Sequence, residues 1–291
     1  SVYNTQGLVM ESSSSPASAA PGLPVRNAAR VAFFLSGFVT AAWAPLVPFA
    51  KARLQLDEAT LGLLLLCLGA GSLASMSVAA SLTARFGCKK IIIVSGTTAC
   101  AALPLLALAP TFALLAGSLL LFGAAMGILD VAQNIHATQV QKLSGKAMMS
   151  GFHGMYSVGG FAGAGGASLM LLWGLTPVAA AAIVSCLALL LLACWGRHLI
   201  HESTTGREPA FAVPRGIVLV LGVLCFIMFL AEGAMLDWSA VFLSTRGVAL
   251  GSAGLGYSLF AIATPFGRFI GDRWLCGTGG PASPHPGRGG A

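Results

Sequence analysis

The chain alternates long apolar runs with short polar turns, and the runs fall at 28–49, 60–84, 90–109, 112–139, 148–172, 176–196, 216–244 and 251–271. At a rise of about 1.5 Å per residue, each is long enough as a helix to cross about 30 Å of hydrocarbon. Runs of this length and hydropathy exceed the buried helices of soluble cores. The pattern predicts an all-α, polytopic transmembrane helix bundle with eight of its helices in this chain.

The turns carry the charge. Residues 80–90, A-S-L-T-A-R-F-G-C-K-K, place Arg85, Lys89 and Lys90 between the second and third runs. Lys and Arg concentrate in cytoplasmic loops, so this turn is read as cytoplasmic and the N-terminus with it. Of the 16 Lys and Arg residues, only Lys51, Arg53 and Arg246 then fall on the outer side. The longest polar interruption, residues 197–215, separates six runs from two and reads as a solvated linker between halves. Residues 1–25 are rich in Ser, Ala and Pro and are expected to be a disordered cytoplasmic tail. They are not a secretory leader, because the first apolar run is too long and others follow. Ser1 opens the chain without a Met, so a trimmed N-terminus is expected. Residues 276–291 are Gly/Pro-rich and form no further span. The expected organisation is a six-helix half at 26–196, the linker at 197–215, two further helices at 216–275, and a tail at each end.

Composition agrees with a membrane protein. Hydrophobic residues make up 56% of the chain and charged residues 9%, and the mean hydropathy is +0.85. The formal net charge of +7 does not point to nucleic acid, because the basic residues lie singly between apolar runs rather than on one face. Seven cysteines, an odd number without paired spacing, predict neither a disulfide framework nor structural zinc. His198, His201 and Glu202 in the linker lack a fourth ligand and supporting shell, so no metal is expected.

Ionisable groups inside the runs are few, and their cost at membrane depth makes them informative. Asp130, Gln133 and Asn134 share one helix face at i, i+3 and i+4, and His153, Tyr156 and Ser157 repeat the spacing on the next helix. This is either a polar cluster beside a solute path, with Asp130 or His153 exchanging a proton, or a structural network. Glu232 and Asp237 stand five residues apart, about 140° around the helix, so they form no dyad on one face. Glu232 is the first candidate for a protonatable or solute-binding carboxylate, with a satisfied core residue as the competing reading. Trp238 is read as an interfacial belt residue or a stacking platform. Trp43 falls near a stripe with Phe34, Ser36 and Thr40, and Pro45 and Pro48 loosen the end of that helix. The pairs Gly123/Gly127 and Gly159/Gly163 have the spacing of close helix packing. No nucleophile–base pair, phosphate-cradling loop or cofactor motif is present, and an enzyme is not expected.

The turn at 80–90 resembles the loop between the second and third helices of the major facilitator superfamily, roughly G-x-L-x-D-R-x-G-R-R/K. Leu82, Arg85, Gly87 and Lys89 match, while Ala80, Ala84 and Cys88 depart from the pattern. A related motif returns as Gly267, Arg268, Gly271, Asp272 and Arg273, and Arg85 and Arg273 lie 188 residues apart, which suits a six-helix repeat plus linker. The stretches G-I-L-D-V-A-Q-N at 127–134, F-H-G-M-Y-S-V-G-G at 152–160 and A-E-G-A-M-L-D-W-S at 231–239 resemble a bacterial branch related to sugar permeases.

The resemblance implies an inner-membrane secondary active transporter, with the cavity lined by the first and seventh helices and two halves rocking about it. A small solute is implied, with a sugar and proton coupling as finer expectations. Arg85 and Gly87 are then gate geometry rather than solute contacts. Family members have twelve helices, so the chain reads as a truncated copy of such a protein in the lipid bilayer. The alternative is a non-transporting remnant or partner that associates with a full-length transporter through unpaired helices.

Overall fold

The computed structural model describes residues 21–201 and 215–263, all of its regular structure helical. The first span is broken. Helix α1 (Leu23–Ala41) gives way to a 3-10 turn (Ala44–Leu46) and then α2 (Val47–Leu54). Pro45 and Pro48 cause the break, since each removes a backbone donor and crowds the preceding turn. Six long helices follow: α3 (Glu58–Phe86), α4 (Cys88–Leu108), α5 (Phe112–Ser144), α6 (Met149–Leu172), α7 (Pro177–Gly196) and α8 (Ile217–Thr245). A short helix α9 (Leu250–Ala253) starts a last apolar helix that is described as far as Ala263. Among the described residues, seven helical segments are long and apolar enough to cross a membrane. The eighth predicted run opens at Leu250, and its end lies outside the described residues.

Local chemistry sets the helix starts. The Asp57 carboxylate accepts the Thr60 amide at 2.7 Å, and Thr60, through its side chain first and its amide second, holds the carboxyl below its ordinary range. Thr111 caps α5 through Leu114 N and Thr176 caps α7 through Ala179 N. Helix α6 opens without a side-chain cap of its own. Instead Gln141 Oε1, from the end of α5, accepts Met148 N at 2.7 Å and Met149 N at 3.1 Å.

The six-helix bundle packs α1 on α6, α3 on α5, and α4 on both α5 and α7. Its backbones touch at glycine. A Cβ at Gly159 or Gly163 would overlap the carbonyl oxygens of Phe34 or Phe38 on α1, and one at Gly123 or Gly127 those of Leu68 or Ser72 on α3. Trp43, Leu103 and Phe122 fill the core between these pairs.

Over the described residues, α8 and the helix after it meet this bundle at one end. Trp238 packs at Gly62, Ser258 at Gly165 and Ala261 at Gly160, while Gly254 fits against Pro45 and Ser168 with no room for a Cβ. Leu236, Tyr257 and Ala261 form a small core with Ala41, Ala44 and Ala164. By contrast, residues 217–230 of α8 are exposed all round, Phe229 at 72%. The two parts therefore converge where the chain passes from α1 to α2, and α8 stands clear of the bundle over residues 217–230.

Candidate functional site

The polar groups inside the spans gather along the line where these two parts face each other. On α5, Asp130 Oδ1 accepts from Gln133 Nε2 at 3.3 Å and from Asn134 Nδ2 at 3.2 Å. Gln133 is 1% exposed, and its amide nitrogen also reaches Ser36 Oγ of α1 at 3.4 Å. His153 of α6 stands edge-on to Phe33 at 5.2 Å between centroids and is close enough to Asp130 to interact electrostatically. One turn further, Tyr156 lies beside Thr40 and within electrostatic reach of Asp130, Glu232 and Tyr257. Tyr257 in turn faces Glu232 and Asp237. A polar seam thus runs from the open end of the molecule to the closed end, with α1, α5 and α6 on one side and α8 with its successor on the other.

Several buried atoms on the seam have no hydrogen-bond partner among the described residues: Trp43 Nε1, Gln133 Oε1, Ser168 Oγ, Asp237 Oδ1 and Ser239 Oγ. An unsatisfied polar atom at this depth costs free energy, and such atoms cluster where a protein binds something. Trp43 is 1% exposed at the break after α1. Trp238 is half-buried and packs on the main core.

At the opposite end of the bundle, the α3–α4 turn holds the start of the linker. Gly87, at φ +84° and ψ 147°, ends α3 in a conformation that favours glycine. A Cβ there would lie 2.5 Å from the His201 carbonyl oxygen. Lys89 Nζ donates to the Arg197 carbonyl at 2.9 Å, and Ile200 N donates to His136 Nε2 at 3.0 Å. Leu199 is 5% exposed and belongs to the main core, while Ile200 packs beside Phe33 and Phe152. The expected solvated linker is thus seated on the bundle over its first residues, because Leu199 and Ile200 are apolar and find a groove there. Arg85 lies over the Phe86 ring at 5.1 Å, and Leu82 packs against the core. Gly267, Arg268, Gly271, Asp272, Arg273 and Glu202 lie outside the described residues. Among the described residues no three His, Cys, Asp or Glu side chains gather to hold a metal ion.

Sequence reasoning did not single out His136 or Tyr257. His136 shares a buried face with Gln133 and Val140, at i+3 and i+7, which was the available signal. Tyr257 gave none, since only the docking of its helix brings it to Glu232.

Comparison with known proteins places these features in a family. The sequence model described as Major Facilitator Superfamily matches residues 31–281. An uncharacterized MFS-type transporter of Yersinia pestis is 53% identical over 261 residues, 89% of this chain and 68% of the relative. The uncharacterized transporter y4wD of Sinorhizobium fredii is 34% identical, covering 83% of this chain and 66% of its own length. Membrane protein MosC of Rhizobium meliloti is 32% identical, covering 83% and 60%. The chain spans about two thirds of the length of these relatives. With an all-helical bundle and seven membrane-length helices among its described residues, and a family match over most of its length, this integral membrane protein belongs to the major facilitator superfamily.

Proposed function

We propose that the protein moves a small solute across a bacterial inner membrane by alternating access, with its N-terminus in the cytoplasm. Residues 26–196 form one half, 197–215 the linker and 216–275 the opening helices of the other half. The observation that carries this reading is the polar seam itself, shut at the α1–α2 end by Gly254 against Pro45 and Ser168 and splayed toward the linker end. With Lys and Arg concentrated in the cytoplasmic turns, the splayed end faces inward. A seam closed on one side and open on the other is what a carrier presents to one compartment at a time.

In this reading Glu232 carries the coupling proton. It lies near the middle of α8, half-buried, across from Tyr156 and Tyr257. Asp237, Asp130, Asn134, His153 and Trp43 line the path, and a hydroxylated solute such as a sugar fits their mix of hydrogen-bonding and aromatic groups. The test is uptake into proteoliposomes: Glu232→Gln should abolish accumulation against a gradient while solute exchange persists. Undiminished accumulation by that variant would sink the coupling role.

The exposure of residues 217–230 favours a second reading, association with a full-length relative through α8. A stable, monodisperse monomer in detergent would count against it.

A further inference from the structure

The closed end is held by apolar contact. Leu236, Tyr257 and Ala261 bury against Ala41, Ala44 and Ala164 of the six-helix bundle, and burial of that kind draws the two parts together. Set within the same contact are polar atoms that oppose it. Ser168 of α6 is 0% exposed, and its Oγ has no hydrogen-bond partner among the described residues. It faces Gly254 of the helix after α8 so closely that a Cβ there would overlap it. Three residues earlier, a Cβ at Gly251 would lie 3.2 Å from Leu172 N. No ligand fits between surfaces this close, so Ser168 is not a solute contact while this end is shut.

Asp237 brings a second such atom from the other side. Its neighbours in the chain both touch the bundle, Leu236 in the small core with Ala41 and Ala44, and Trp238 at Gly62. Val241, one turn on, is buried in the core of the bundle itself. Side chains at i and i+4 share a helix face, so Asp237 points toward the bundle as Val241 does. Its Oδ1 is buried without a hydrogen-bond partner among the described residues.

A polar atom buried without a partner loses its hydration with no bond in return. Here that loss is incurred only while the two parts touch, because their separation at this end admits water to both oxygens. Apolar contact favours the shut state and the two oxygens oppose it, which narrows the gap between shut and open. We propose that Ser168 and Asp237 form a release for the outer gate, their oxygens driving the closed end to part toward the outer side. This rests on the alternating-access reading above and names groups that set its balance between the two compartments.

The test uses Ala44→Cys as a reporter in the purified chain in nanodiscs. Position 44 is 0% exposed and packs with Leu236 and Tyr257, so water reaches it when the closed end parts. Alkylation by a membrane-impermeant maleimide is followed by peptide mass spectrometry, which separates position 44 from the native cysteines. The rate follows the open fraction even where that fraction is small. Ser168→Ala and Asp237→Ala should each slow alkylation at least about fivefold. A serine or aspartate that merely fills space gives the opposite sign, since its truncation loosens the shut contact. Ser185→Ala removes another buried, partnerless hydroxyl, on α7, which packs on α4 and α1, and should leave the rate within about twofold. An equal or faster rate in either gate variant, or equal slowing by Ser185→Ala, overturns the inference and leaves transport standing if accumulation still depends on Glu232. No alkylation at position 44 in any of these proteins shows that the closed end does not part, and removes the transport reading together with the inference.

Discussion

Replacing Gly87 with alanine tests how the linker is held. At φ +84° and ψ 147° an alanine is strained by about 1–3 kcal/mol. Its Cβ would also lie 2.5 Å from the His201 carbonyl. Either the turn distorts or residues 197–201 lift away. Lifting them breaks the Ile200–His136 and Lys89–Arg197 hydrogen bonds, worth about 1 kcal/mol each. It also exposes Leu199, for about 2 kcal/mol. Opening the seat in the natural protein thus costs about 4 kcal/mol, so about one molecule in a thousand is open at any moment. The clash removes most of that difference. Limited trypsin digestion in detergent, followed by mass spectrometry of the cut after Arg197, reads the open fraction directly. Gly87→Ala should raise this rate about a hundredfold, and His136→Ala, which strains no backbone, about fivefold. Rates for both variants within about twofold of the natural protein would refute a seated linker.

Gly163→Ile should drive its side chain into the Phe38 carbonyl and separate α6 from α1, lowering thermal stability in detergent by at least about 3 kcal/mol; a melting point equal to that of the natural protein would contradict the close packing. Asp57 has a lowered carboxyl pKa through its bond to Thr60, so its stabilising effect is present above the unfolded value and is lost as pH falls through the folded one. Asp57→Asn, which keeps a capping oxygen but no titration, should flatten that acid-side slope in a plot of melting temperature against pH. The Glu232→Gln uptake experiment adds the functional counterpart, loss of accumulation with exchange retained.

The helices were legible because a span is a local property: about twenty apolar residues suffice, and Pro45, Thr111 and Thr176 mark breaks and starts within a turn of where they act. The partnership of Asp130 with Gln133 and Asn134 was legible too, since all three lie on one helix. Sequence alone thus determined the membrane class, the family and which residues share a face. Which faces meet was decided only in three dimensions. In an apolar chain almost every face is compatible with lipid or with another helix, so hydropathy does not rank the partners. The choice falls to backbone contacts at Gly123, Gly159 and Gly254, and to long-range pairings such as Gln133 with Ser36, His136 with Ile200 and Tyr257 with Glu232. Those contacts join residues far apart in the chain, and they turn single polar positions into a seam.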